Sequence, residues 1–110
     1  MYSSDLLEKY VALFNYGAEN GDFEPMLDLF HEDAVYEFED PRIGAFEGKA
    51  RIARMFGLQQ PDSSINIFNI KETGTAAVAD YGDEIAPLTR LGGIILQARN
   101  GKIKRLIIKR

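Results

Sequence analysis

The chain contains no cysteine and only one histidine, His31, among its 110 residues. The lack of thiols excludes disulfides, cysteine-based zinc sites and thiol catalysis. A lone histidine makes a poor metal site, so we predict neither a metal nor a cofactor. No apolar run approaches the length that spans a membrane, and the opening MYSSDLLEKY lacks the pattern of a signal peptide. We therefore expect a soluble, cytoplasmic protein that does not attach to membranes.

Acidic residues are absent from the last part of the chain. All 17 Asp and Glu lie at or before Glu84, together with six Lys and Arg, whereas residues 86–110 carry seven Lys and Arg. One interpretation is that basic strands lie beside acidic neighbours within a single fold. The other is a basic stripe that binds an anion or RNA. Because the rest of the surface is acidic and repels nucleic acid, we do not expect a nucleic-acid partner.

The material for one hydrophobic core is present, with 45% apolar and 11% aromatic residues. This length and composition predict a single domain over residues 1–110. Ser3 or Ser4 is a candidate N-cap, with Glu8 in reach of a capping box. Periodicity and turn signals then predict the elements in order: a first helix ending at ENGD (19–22), a helix over 23–30, a strand over 34–40, a helix over 49–58, and strands over 64–72, 75–84, 89–98 and 103–110.

Short turns join the last four predicted strands, and Asn100-Gly101 is the clearest hairpin signal among them. Strands joined by hairpins run antiparallel, so the class is α+β with the helices gathered on one face of the sheet. This element order resembles the nuclear-transport-factor-2-like superfamily. The segments GDFEPMLDLFHEDAVYEFEDP and EGKARIARMF resemble its ketosteroid-isomerase and polyketide-cyclase-like branch. The resemblance implies a cone in which a curved antiparallel sheet wraps three helices around a hydrophobic pocket.

Resemblance to ketosteroid isomerases implies roles for two residues, Tyr10 as the oxyanion donor and Asp40 as the general base. Alternation supports the same view of Asp40, because Tyr36, Phe38 and Asp40 would share the apolar, inner face of one strand. A carboxylate in that position would be desolvated and its pKa raised. The alternatives are that Asp40 is a turn residue before Pro41 and that Tyr10 only packs in the core.

The second oxyanion acid of ketosteroid isomerases is missing, because its expected position falls near Gly93. Asp80 is a candidate replacement if Val78 and Asp80 face inward. The alternative is that Asp80 lies outside, paired with Arg90 or Arg99. We expect the pocket to be lined by apolar residues and one amide, which come from helices and strands along the whole chain: Phe14, Tyr36, Phe38, Met55, Phe56, Ile95 and Gln97.

Two features of the last strands complete the prediction. Gly92 and Gly93 interrupt a strand pattern, which indicates a bulge or a bend. The segments 94–98 and 103–108 are apolar on both faces, so helices would cover one face and a second subunit the other. We therefore expect a homodimer that forms through the sheet.

Two functions remain open from the sequence. The first is a cofactor-free acid–base isomerase or lyase that acts on a hydrophobic carbonyl compound, with Asp40, Tyr10 and Asp80 as its catalytic residues. The second is a non-catalytic dimeric module of the same fold that binds a ligand or a partner.

Overall fold

The computed structural model describes residues 2–110 as three helices and six strands. The helices are α1 (Ser3–Asn20), α2 (Glu24–Leu27) and α3 (Lys49–Leu58). The strands are β1 (Phe30–Phe38), β2 (Ala45–Glu47), β3 (Ile65–Thr73), β4 (Ala76–Asp83), β5 (Gly92–Arg99) and β6 (Lys102–Lys109). Every predicted element is present, and the short strand β2 was not predicted.

The strands form one open sheet in the order β2-β1-β6-β5-β4-β3. The strands joined by hairpins are antiparallel as predicted, whereas β1 and β6 pair in parallel, with Tyr36 opposite Leu106. The sheet is therefore antiparallel except at this pair, which no hairpin joins. Helix α1 contacts β3, β4 and β5, while α3 contacts β1 and β2, so the sheet curves around the helices.

The N-terminus of α1 is capped by a residue from a strand that is distant in sequence. Tyr2 occupies the N-cap position and makes no side-chain cap, so the predicted serine cap is wrong. Glu72 at the end of β3 accepts hydrogen bonds from the Ser3 hydroxyl (2.9 Å) and from the Ser4 backbone N–H (2.7 Å). These bonds lower the pKa of the Glu72 carboxyl. A negative charge suits this end of a helix, so Glu72 performs the capping and fastens α1 to the sheet.

The parallel pair of β1 and β6 joins the acidic and basic parts of the chain. Lys104 forms an ion pair with Asp33 (2.7 Å), and Lys109 with Glu39 (3.4 Å). A third pair links Arg105 to Glu37. The basic C-terminal strand therefore lies beside an acidic strand of the same fold, which is the first of the two interpretations of the charge pattern.

The core lies between the helices and one face of the sheet, called here the inner face. Its largest fully buried side chains come from all three helices and from the strands β1, β5 and β6. On β5, the inner face carries Ile94 and Leu96, which are completely buried, while Ile95 and Gln97 point to the outer face. The same alternation on β4 puts Ala77 and Ala79 inside and leaves Val78 and Asp80 outside.

Candidate functional site

A cavity of about 270 Å³ lies between α1, α3 and the inner face of the sheet. The structure brings six of the predicted site residues together around it: Tyr10, Phe14, Tyr36, Phe38, Met55 and Phe56. Its other lining residues were not predicted from the sequence: Ile43, Gln59, Pro61, Ile65, Tyr81, Ile94 and Ile108. Residue type alone does not identify these residues as lining the cavity. Their positions depend on the register of the strands and on the paths of the loops.

The polar centre of this cavity is a pair of tyrosines. The hydroxyl oxygens of Tyr10 on α1 and Tyr36 on β1 are 2.6 Å apart, and both side chains are buried. Burial raises the pKa of Tyr10 well above its ordinary value, and the neighbouring Tyr36 adds to this. Burial also raises the pKa of Tyr36. Both phenols are therefore neutral at physiological pH.

Aromatic rings fix the position of this pair. Tyr10 packs edge-on against Phe30, and Tyr36 packs edge-on against Phe56, with ring centroids 6.1 and 5.5 Å apart. Edge-to-face contacts of this kind add to the burial energy and restrict ring rotation. The hydroxyl pair is consequently held in one place by a rigid apolar surround.

Tyr81 adds a third, half-buried phenol on β4. A side chain at Gly92 would place its Cβ 2.8 Å from the Tyr81 ring and 2.2 Å from the carbonyl oxygen of Lys109. The glycine is therefore required for close approach of the ring to β5. The sequence predicts a bulge or a bend at Gly92 and Gly93. No bulge lies there, because the register shift of β5 against β6 falls between Gln97 and Ala98.

Asp40 follows the end of β1 and does not line the cavity. Its side chain, 10% exposed, accepts hydrogen bonds from Arg42 through the backbone N–H (3.0 Å), Nε (3.1 Å) and a terminal nitrogen (2.8 Å). Arg110 forms a second ion pair with it. The side chain and backbone of Arg42 lower the pKa of Asp40 to about 2. The predicted raised pKa is wrong, because two guanidinium groups outweigh desolvation.

Asp80 lies on the outer face, away from the tyrosines. Its carboxylate accepts hydrogen bonds from Asn69 (3.0 Å) and from Arg90 (2.9 Å), and these bonds lower its pKa. The inward orientation is wrong, since Ala77 and Ala79 occupy the inner positions of β4. The prediction that Asp80 acts as a second carboxylate beside Asp40 is therefore wrong.

Ile95 and Gln97 also lie on the outer face, so their predicted place in the lining is wrong. The sequence GGIILQ offers aliphatic residues at both parities, and packing against the helices selects Ile94 and Leu96. One residue of register reverses every side chain of a strand.

Residues 2–110 contain no group of three or more His, Asp or Glu side chains arranged to hold a metal ion. His31, on β1, has its Nε2 2.5 Å from the carbonyl oxygen of Arg99. Within the same residues, no helix combines the length and apolarity needed to cross a bilayer.

The fold and the site together define the structural class of this protein. Three helices pack on one face of an open, curved, mostly antiparallel sheet, and an apolar cavity lies between the helices and the sheet. Residues 7–106 match the SnoaL-like domain family. The match covers most of the chain, so the protein belongs to this family. No curated protein matches the sequence.

Solved structures share the fold at low identity. A nuclear-transport-factor-2-like protein from Anabaena variabilis is 19% identical with a TM-score of 0.78, covering 96% of this chain and 87% of its own. A protein of Kribbella flavida, provisionally assigned as a ketosteroid isomerase, is 20% identical with a TM-score of 0.74, covering 96% and 75%. A provisionally assigned polyketide cyclase from Sinorhizobium meliloti is 19% identical with a TM-score of 0.68, covering 98% and 100%. At such identities the likeness establishes the fold alone.

Proposed function

We propose that this protein binds a small hydrophobic molecule through a carbonyl or similar acceptor oxygen, which Tyr10 and Tyr36 hold by a hydrogen bond. The single observation that carries the proposal is the buried hydroxyl pair, at 2.6 Å, in an otherwise mainly apolar cavity. Two neutral phenols carry two donor protons, and their mutual bond uses one of them. The second proton remains available to a ligand, and the bond within the pair strengthens it as a donor.

The cavity also limits the size of the ligand. Its volume of about 270 Å³ lies just below the range of about 300–1,000 Å³ that is usual for drug-sized ligands. Aromatic and aliphatic side chains form most of its wall, so apolar burial supplies most of the affinity. A compact aromatic ketone has the required size and chemistry.

A matched pair of compounds tests this proposal. Butyrophenone carries a carbonyl, and butylbenzene has the same shape without it. We expect butyrophenone to bind about tenfold more tightly, which is the effect of one net hydrogen bond. Affinities are measured by NMR titration of the labelled protein.

Tyr10→Phe and Tyr36→Phe should each reduce that preference, whereas Tyr16→Phe should leave it unchanged, because Tyr16 is 45% exposed and lies outside the cavity. Equal affinity of the wild-type protein for the two compounds would contradict the proposal.

A second candidate function is acid–base catalysis on the same ligand, with Asp40 as the base. Its support is the burial of the Asp40 side chain beside Phe38, at the edge of the cavity. A pKa of about 2 makes Asp40 a weak base, which is why binding is the leading proposal. An enzyme of this kind should exchange the α-hydrogens of butyrophenone for deuterium in D2O, and Asp40→Asn should abolish the exchange. No acceleration by the wild-type protein excludes this candidate.

We also infer a homodimer that forms through the outer face. A row of apolar side chains crosses three strands there, because Val78 pairs with Ile95 and Ile95 pairs with Ile107. Charges of both signs flank the row, with Asp80 beside Arg90 and Glu37 beside Arg105. In a dimer with two-fold symmetry, the apolar rows of the two copies pack against each other. The acidic groups of one copy then lie near the basic groups of the other.

Sedimentation tests this inference. Ile95→Glu should convert a dimer into a monomer, while Leu58→Glu, which adds the same charge at an exposed position of α3, should not. A wild-type protein that sediments as a monomer at micromolar concentration would refute the homodimer.

A further inference from the structure

A second cavity, of about 220 Å³, adjoins the first where β1 ends. Asp40 and Arg110 contribute to its wall, and it shares four apolar residues with the ligand cavity: Phe38, Ile43, Tyr81 and Ile108. Ile43 and Leu91 are each more than half exposed at this point. A ligand that fills the first cavity can therefore extend along these apolar residues toward Asp40.

The side-chain charges are unequal at this cavity and beside it, where Arg42 contacts the lining residue Asp40. Arg42 and Arg110 share the single carboxylate of Asp40, and their own side chains are 78% and 65% exposed. The neighbouring Lys109 and Glu39 neutralise each other at 3.4 Å. The carboxylate is thus covered while both arginine side chains are largely exposed, and the side chains of Asp40, Arg42 and Arg110 together carry one positive charge in excess.

The donor capacity of the two arginines also exceeds what Asp40 uses. A guanidinium group has five N–H donors in a planar fork that matches a carboxylate. Arg42 donates to Asp40 from Nε and one terminal nitrogen, and Arg110 donates from one terminal nitrogen. The remaining N–H groups can bind a second oxyanion.

We propose that the ligand is an amphipathic anion, whose apolar part fills the tyrosine-lined cavity and whose carboxylate or equivalent oxyanion binds to Arg42 and Arg110. This inference rests on the proposed binding function and adds the charge of the ligand to it. Apolar burial and an acceptor oxygen alone do not require a cationic cleft. The juxtaposition of an apolar pocket, exposed isoleucine and leucine, and two arginines that share one carboxylate does fit such an anion.

Benzoylpropionate tests the proposal, because it joins an aryl ketone to a carboxylate, and its primary amide is the neutral equivalent. We expect the acid to bind about fivefold more tightly than the amide at low ionic strength, which is the range of a partly exposed ion pair. The preference should shrink as salt is added, because exposed charges are screened. Isothermal titration calorimetry on the full chain measures both compounds.

Three variants locate the effect. Arg42→Ala should abolish the preference for the acid, whereas Arg51→Ala, which removes the same charge from an exposed position of α3, should retain it. Asp40→Asn should raise the affinity for the acid severalfold, because it releases both guanidinium groups from their internal partner. None of these side chains belongs to the buried core, so the variants are expected to fold.

The outcomes separate the two proposals. If the wild-type protein binds butyrophenone but binds the acid no better than the amide, the anionic ligand is refuted and the binding function stands. If Arg51→Ala abolishes the preference as fully as Arg42→Ala does, the effect is one of overall charge, and the assignment to the cleft is also refuted. If neither ketone nor acid binds, both proposals fail together.

Discussion

The inner and outer faces of the sheet differ in chemistry although they share every strand. On the inner face, the phenol of Tyr36 meets that of Tyr10 from α1 in an apolar surround, and both phenols have raised pKa values. The outer face carries Asp80, paired with Arg90 and Asn69, with a lowered pKa. The contrast shows that the fold buries neutral polar groups on one side and exposes ionised groups on the other. The cavity can therefore bind a ligand through neutral hydrogen-bond donors, the hydroxyls of Tyr10 and Tyr36.

Neighbouring residues of β5 give the sharpest test of this difference. Leu96 is completely buried on the inner face, and Gln97 is exposed on the outer face. We expect Leu96→Ala to lower the free energy of unfolding by about 2–5 kcal/mol, through lost burial and a residual cavity. Gln97→Ala should change it by less than about 0.5 kcal/mol. Urea denaturation measures both, and similar losses for the two variants would contradict the assignment of the faces.

The tyrosine pair gives the next largest effect. Tyr10→Phe leaves the Tyr36 hydroxyl buried without its partner, at a cost of about 1–3 kcal/mol, and Tyr36→Phe does the converse. The double variant removes both hydroxyls and should cost less than the sum of the single variants. A double-mutant cycle in urea measures this coupling, and strict additivity would show that the two hydroxyls do not interact.

How far the sequence predicts these faces depends on the strand. At the end of β1, Tyr36 and Phe38 alternate with Glu37 and with Glu39 just after the strand, so the inner face can be recognised from the sequence. In β5, aliphatic residues occupy both parities, and only packing against the helices decides between Ile94 and Ile95.

Contacts between distant parts of the chain set the limit at other positions. The strand alternation does not reach Asp40, because β1 ends two residues earlier at Phe38 and contacts with Arg42 and Arg110 set the orientation of Asp40. The capping of α1 by Glu72 joins residues 68 and 69 positions apart, which no local pattern reveals.

Alkaline pH should affect the inner face. A buried tyrosine whose folded-state pKa is raised stabilises the protein fully below its unfolded pKa of about 10, and this contribution is lost as the pH rises toward the folded value. We therefore expect stability to fall above about pH 10, and to fall less steeply in the double Tyr10→Phe, Tyr36→Phe variant. Thermal unfolding across this pH range measures the slope, with Tyr16→Phe as the control that should match the wild-type protein.

Acidic pH should weaken the ion pairs of Asp40 at the edge of the cavity, and we expect the resulting loss of stability to be the smallest of these effects. The pKa of Asp40 is lowered to about 2, so its ion pairs contribute above its unfolded pKa of about 4 and are lost as the pH falls toward 2. Asp40→Asn should therefore be slightly less stable than the wild-type protein at pH 7, and the difference should vanish near pH 2. The same measurement on Asp62→Asn, an exposed residue of the loop before β3, should show no such convergence. A difference between Asp40→Asn and the wild-type protein that persists unchanged to pH 2 would mean that the guanidinium groups do not hold Asp40 ionised.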